Sequence, residues 1–260
     1  MNVAASAAKR AGIIDASAPS THASAGAPDA MLIEDLVAAN RILFDQGVLD
    51  GFGHVSVRHD KVPERFLLSR SMAPGLVTMA DIMEFDFDGN AVDARGRTLY
   101  LERFIHAAIY RARPDVKSVV HSHSPSIIPF GVTGANLRPI YHMSSFLGSG
   151  TPIYDIRAKA GMTDMLVSDM TLANTLAESL GDKAVVLMRG HGSVAVGNSL
   201  QQAVFRAVYA ETNARLQSDA LKLGSITFLD PEEARKATVT NDGVLNRSWD
   251  LWKRKLGKIE

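Results

Sequence analysis

The stretch "ERFIHAAIYRARPDVKSVVHSH", residues 102–123, decides how this chain is read. Residues 101–115 carry a helical pattern that stops at Pro114, whose ring cannot continue a helix. "VKSVVHSHSP" then reads as a strand running into a loop. Side chains alternate across a strand, so His121 and His123 share a side if the strand continues through both. Two imidazoles on one side can share a metal ion at about 2.0–2.1 Å from each nitrogen. The other reading is two polar residues at the end of a buried strand, although Ser122 and Ser124 make the stretch more polar than a core strand should be.

Two further features bear on the choice. In "RGHGSVAVG", His191 lies between Gly190 and Gly192, which permit a tight backbone and the close approach of another group. An exposed turn histidine would look the same. Three imidazoles with an open position are nevertheless the usual catalytic zinc arrangement. Glu102 and His106 are four residues apart and share a helix face. A carboxylate beside a metal can act as an acid or base; a surface Glu–His pair has the same spacing.

Outward from this stretch, helices and strands interleave. "MLIEDLVAANRILFDQGVLDGFG" (31–53) has apolar residues close to a 3.6 period and predicts a helix ended by Gly51 and Gly53. "HVSVRHD" and "RFLLSRS" predict strands, and "MEFDFDGNAVD" predicts a hairpin around Asp88-Gly89-Asn90. A helix lies within "DMLVSDMTLANTLAESLGD", and "KAVVLMRGHGSVAVG" (183–197) forms two short strands around the Gly-His-Gly turn. A long helix follows a Ser cap in "SLQQAVFRAVYAETNARLQSDALKLG", another opens at Asp230, and "LNRSWDLWKRKLGK" is a short amphipathic helix. No repeat or linker divides residues 31–260. The expectation is one α/β domain over 30–260 with a mixed, mainly antiparallel sheet flanked by helices, since hairpins argue against an all-parallel sheet. Residues 1–29, rich in Ala and Ser, are expected to form a flexible tail.

Composition narrows the chemistry. Lys+Arg and Asp+Glu both count 28, so nothing favours a nucleic-acid or anionic-membrane partner. There is no cysteine, which excludes disulfides, thiolate metal sites and Cys nucleophiles; a metal must be held by His or oxygen ligands. No apolar run approaches the roughly 20 residues of a membrane-spanning helix. A cytoplasmic protein is the simplest expectation.

Taken together, Glu102, the Arg113-Pro114-Asp115 stop, His121-x-His123 and the Gly-His191-Gly turn resemble the central signature of the class II aldolase/adducin family. "GHVSVR" upstream is similar to that family's Gly-Asn/His-x-Ser strand, and the likeness runs over about 31–229. The resemblance implies a three-layer fold with a central antiparallel sheet, and His121, His123 and His191 as ligands of one divalent ion per subunit, zinc or manganese. It implies Glu102 as catalytic acid/base, and a homotetramer with active sites between subunits.

The family's sugar-phosphate aldolases carry a Thr/Ser-Gly phosphate loop and a Ser-Ser pair before the Glu. Here those stretches read "SRSMAPG" (69–75) and "TLYLE" (98–102), which lack the expected donors for a phosphate dianion. "FLLSRSMAPGLVT" and "TPIYDIRAKAGMTDMLV" look instead like the branch that decarboxylates hydroxylated aromatic or pyridine dicarboxylates. That branch implies an ion between the substrate's hydroxyl oxygen and adjacent carboxylate, with Glu102 protonating the ring carbon. Arg70, with Ser71 beside it, suits a substrate carboxylate, because guanidinium binds carboxylates bidentately; a surface ion pair is the alternative. Tyr141 and His142 are expected to line the pocket, with a core position as the alternative for Tyr141. Retro-aldol cleavage of a hydroxy-ketone or sugar phosphate needs the same parts, and a non-catalytic adducin-like scaffold is a third reading. Trp249 and Trp252 either pack on their own core or belong to a helix covering a neighbouring subunit's site.

Overall fold

The computed structural model describes residues 23–92 and 94–257. Helix α1 (Ala30–Asp45) starts where the Asp29 carboxylate accepts the Met31 N–H at 2.8 Å. It stops at Gly47, which adopts φ +69° while its N–H reaches the Phe44 carbonyl and the Val48 N–H reaches Leu43. This closure satisfies carbonyls that the last turn would otherwise leave bare. The helix expected over 31–53 therefore ends several residues early. Val48 and Leu49 prolong the apolar pattern as buried loop residues.

Strands β1 (His54–Arg58), β2 (Arg65–Ser69) and β3 (Ile82–Asp86) form an antiparallel meander. Among the described residues, the expected return arm of a hairpin after β3 is a single bridge from Phe85 to Ala91. The Asp86 carboxylate accepts the turn N–H groups of Asp88 and Asn90, which curls the chain tightly rather than extending it. Helix α2 (Arg103–Ala112) leads to β4 (Ser118–Ser122), then to the short helix α3 (Ile128–Val132). β5 (Ile153–Tyr154), α4 (Ile156–Ala160) and α5 (Met170–Leu180) follow. β6 (Val185–Met188) and β7 (Gly192–Gly197) flank the Gly-His-Gly turn. The chain closes with α6 (Leu200–Leu223), α7 (Pro231–Asp242) and α8 (Asn246–Leu256). The caps read from sequence are present: Ser199 accepts the Gln202 N–H, and Asp230 forms a capping box with Glu233.

The seven strands make one sheet in the order β3-β2-β1-β4-β7-β6-β5, antiparallel throughout except for β5 with β6. This is the mainly antiparallel α/β sheet expected, flanked by helices on both faces. Strand alternation divides the core. Val55, Val57, Leu67, Val120, Leu187 and Ala195 pack with α1, α6 and the two tryptophans of α8. Phe66, Leu68, Val119, Val186, Val194 and Val196 pack with α2 and α5. Trp249 and Trp252 are thus buried in this chain's own core, with Trp252 6.3 Å from the Tyr209 ring. Among the described residues, no helix is long and apolar enough to cross a membrane.

Most of the segment expected as a tail lies outside the described residues. Its last part, 23–29, rests against the sheet: Ser24 Oγ and Ala25 N–H donate to the Glu84 carboxylate, and Lys61 donates to the Ala27 carbonyl.

Candidate metal centre

Four side chains meet at the end of β4. Glu102, at the N-cap of α2, comes from the helix layer. His121 is the fourth residue of β4 and faces α2 on the side of Val119. β4 ends at Ser122, so His123 lies just past the strand, yet it still reaches the same place. His191 comes from the β6–β7 turn. One ligand atom from each of the four lies within 4.8 Å of all the others.

Glycines make this convergence possible. A Cβ on Gly192 would stand 2.0 Å from the Ser122 carbonyl oxygen, so only glycine lets β7 approach β4 there. Gly190 carries φ +65° and turns His191 back over the sheet. On the other side of His121, Gly53 adopts φ +84°, and a Cβ there would meet the His121 carbonyl at 2.9 Å.

Outer hydrogen bonds fix how the donor atoms face. His121 Nδ1 lies 3.2 Å from the Ser193 carbonyl and His191 Nδ1 lies 3.1 Å from the Met165 carbonyl. A carbonyl can only accept, so both rings carry Nδ1–H and turn Nε2 toward the cluster. Glu102 Oε1 accepts the Val167 N–H at 3.0 Å, leaving Oε2 for the cluster, 3.3 Å from His121 Nε2 and 3.4 Å from His191 Nε2. His191 Nε2 and His123 Nε2 are 3.0 Å apart.

The set suits a cation. His121 Nε2 is buried without a hydrogen-bond partner, and a buried orphan nitrogen costs about 1–3 kcal/mol unless something accepts its lone pair. Ligands at about 2.0–2.1 Å from a common tetrahedral centre stand roughly 3.3 Å apart. The separations just given straddle that value. Electrostatics agree. Burial alone would push the Glu102 carboxyl up, but the His121 and His191 imidazoles hold it well below the usual carboxylate range. Burial, then the neighbouring His121 and His191, pulls His123 down to about 4. Burial also works against a charge on His191, yet its hydrogen bond and attraction to Glu102 raise it above its ordinary value.

The other expected site residues stand apart. Arg70 Nε is paired with Asp81 Oδ1 at 2.6 Å, and its backbone N–H donates to the Asp81 carbonyl. Ser71 is exposed and exchanges hydrogen bonds with Thr98. Tyr141 and His142 lie on the α6 side, where Tyr141 senses Tyr209 and Arg215, and Tyr141 Oη is buried without a partner. Among the described residues none of these four side chains bonds to the cluster.

The sequence reading noted His106 and the "GHVSVR" strand but gave no site role to the residues behind His121. His54, Ser56 and Arg58 alternate on the β1 face toward α2, while His106 and Tyr110 follow Glu102 at four-residue spacing on α2. These two periodicities interlock: His54 Nδ1 meets His106 Nε2 at 2.6 Å, His106 Nδ1 meets Ser56 Oγ at 2.6 Å, and Ser56 Oγ meets Tyr110 Oη at 2.7 Å. The His54 ring is 5.1 Å from His121 and 4.5 Å from Tyr100. His106 thus belongs to a buried network rather than to a surface pair with Glu102.

Comparison with known proteins places the geometry in a wider setting. Residues 34–218 match the family described as the Class II Aldolase and Adducin N-terminal domain. The chain is 36% identical over 253 residues to decarboxylase tropJ of Talaromyces stipitatus, covering 88% of this chain and 95% of that protein. It is 30% identical to a 3,4-dihydroxyphthalate decarboxylase of Arthrobacter keyseri, covering 93% and 96%. Among solved structures, an aldolase II superfamily protein from Pseudomonas syringae superposes with a TM-score of 0.73 at 24% identity, over 87% of this chain and 92% of that one.

Proposed function

The chain belongs to the class II aldolase and adducin family, and from that premise we propose that it is a metal-dependent decarboxylase of a hydroxylated aromatic or pyridine dicarboxylate. The observation that carries the reading is the convergence of Glu102, His121, His123 and His191, together with relatives named as decarboxylases along nearly the whole chain. His121, His123 and His191 would hold one divalent ion, zinc or manganese, through Nε2 atoms already turned inward. When bound, the ion supplies Lewis-acid stabilisation of the negative charge left by loss of carbon dioxide.

Glu102 carries the proton. Its Oε1 is fixed by the Val167 N–H, so Oε2 is the atom that exchanges. Held ionised, Oε2 accepts the proton of the substrate hydroxyl and returns it to the ring carbon as the carboxyl group leaves. The carbon–carboxyl bond breaks, its electron pair stays on the ring carbon, and that carbon gains the proton; solvent then reprotonates the hydroxyl oxygen.

Arg70 binds the second carboxylate. Asp81 occupies its Nε, which sets the plane of the guanidinium and leaves the terminal amines for a bidentate contact. Ser69, next to Arg70 in sequence, has its Oγ 3.4 Å from Tyr100 Oη, and the Tyr100 ring packs on His54 at 4.5 Å, which supports a role for Arg70 near the His121 end of the sheet. Ser71, the next residue, is exposed and is proposed to assist Arg70. Tyr141 and His142 make no bond to the cluster within one chain, so a pocket role for them is proposed only with a second subunit, in a homotetramer with sites between subunits. We take the catalytic domain to begin at residue 30, the first residue of α1.

The test is carbon dioxide release from a panel of hydroxylated aromatic and pyridine dicarboxylates that includes 3,4-dihydroxyphthalate, with metal-stripped and metal-restored protein. Release that needs the metal is expected. Aldehyde release from a sugar phosphate, with no carbon dioxide from any member of the panel, would replace this reading with an aldolase.

A further inference from the structure

Tyr110, Ser56, His106 and His54 form an unbroken line of hydrogen bonds, all buried, between the interior of the α2 layer and the metal centre. Such a chain has a direction, because each link carries one proton. Tyr110 sits at the deep end, and Ser56 Oγ is the hydroxyl partner of its Oη. Burial raises the Tyr110 phenol far above its ordinary range, so it stays protonated. Its proton therefore goes to Ser56, since a buried O–H without an acceptor costs about 1–3 kcal/mol. The Ser56 hydroxyl must then donate to His106 Nδ1. His106 is neutral, because burial pulls it down to about 3, so its single proton sits on Nε2 and points at His54 Nδ1. His54 Nδ1 accepts that proton, so the His54 ring is left with its own on Nε2. That nitrogen has no hydrogen-bond partner among the described residues, and the His54 ring stands 5.1 Å from the His121 ring.

We propose that His54 presents a neutral, fixed Nε2–H donor to an anionic oxygen of the substrate bound beside His121. Tyr110, Ser56 and His106 are the positioning residues that set its tautomer. The inference rests on the proposed decarboxylase reading for the nature of that oxygen, but the direction of the chain does not. A fixed donor has a use here. An imidazole free to exchange tautomers would offer a lone pair to the substrate anion part of the time, and a flexible donor would have to be ordered at the moment of reaction. The neighbouring positions also explain the residue types. Arg58 follows Ser56 on the same face, donates to the Tyr110 carbonyl at 2.9 Å and stacks on the Tyr110 ring, which braces the deep end of the chain.

The experiment reads ring nitrogens directly, in protein labelled with nitrogen-15 at histidine. Long-range proton–nitrogen spectra distinguish Nε2–H from Nδ1–H rings, and His54→Phe and His106→Gln assign the signals. Both rings are expected as Nε2–H, and Nδ1–H at both would overturn the proposal, whatever reaction the protein performs. Tyr110→Phe removes the proton that sets the direction and should convert the two rings to a mixture of tautomers; unchanged spectra would count against the relay. Adding 3,4-dihydroxybenzoate as probe to the zinc-loaded protein should shift the His54 Nε2–H signal. The same probe should bind about 10- to 100-fold more weakly to His54→Phe, at unchanged zinc content, with partial recovery in His54→Gln, whose amide can donate from a similar position. Equal affinity of wild type and His54→Phe would also overturn it. Two Nε2–H rings in a protein that releases no carbon dioxide from any dicarboxylate would sink the decarboxylase reading while upholding the relay.

Discussion

The two faces of the sheet are made by the same strands, yet one is inert and the other carries chemistry. On β1, Val55 and Val57 enter the apolar core against α1 and α6. Their neighbours His54, Ser56 and Arg58 face α2 and bond to His106, Tyr110 and the backbone around them. On β4, Val120 and His121 divide in the same way. The difference teaches how a row of polar groups can be kept in a core: a second element supplies partners at matching spacing, here the four-residue stripe Glu102, His106 and Tyr110 of α2.

The comparison can be broken by substituting neighbouring residues that face opposite ways. His121→Ala and His123→Ala should abolish bound metal, measured by elemental analysis, and reduce turnover to background. Either variant retaining both would remove the chemical half of the contrast. Glu102→Gln should separate holding from proton transfer: three histidines still bind metal, while turnover falls by about 10²- to 10⁴-fold. Loss of metal from this variant would make Glu102 a ligand instead. On the apolar side, Val120→Ala should cost about 1–2.5 kcal/mol in denaturant unfolding, with metal content unchanged.

Two pH effects sharpen the contrast at smaller magnitude. His191 must be neutral at Nε2 to bind metal, and its proton is held more tightly than in free histidine. Metal affinity, read by competition titration, should therefore fall as the pH drops through a value above 6.5, by up to about tenfold per unit. Affinity unchanged down to pH 5 would contradict this. Asp81 is lowered from the ordinary carboxylate range: burial raises it, but the hydrogen bonds from Arg70 and Thr78 outweigh burial. Its contribution is complete above the unfolded value and is lost as the pH falls through the lower folded one. Asp81→Asn should flatten that part of the acid-unfolding curve.

The sequence made one part of this site plain and hid another. His121-x-His123 and Gly-His191-Gly are local patterns, so strand alternation and turn chemistry suffice to pick them out. The relay is not local. The alternation in "HVSVR" and the spacing of Glu102, His106 and Tyr110 are each visible, but only the packing of α2 on β1 tells which residues meet. The same limit explains the boundaries. Periodicity carried the first helix through Val48 and Leu49, which are buried for reasons of packing, while Gly47 had already ended it. Arg70 matched a carboxylate-binding pattern, and its chain partner Asp81, eleven residues away, became apparent only in three dimensions.

The central claim is that the cluster at the end of β4 is a metal-dependent decarboxylation site. Its most direct test uses dicarboxylate substrates labelled with carbon-13 at the carboxyl groups. Protein stripped of metal should release no labelled carbon dioxide, and protein restored with one equivalent of zinc or manganese per chain should release it stoichiometrically with product. Equal release from stripped and restored protein, or none from either across the panel, would contradict the account.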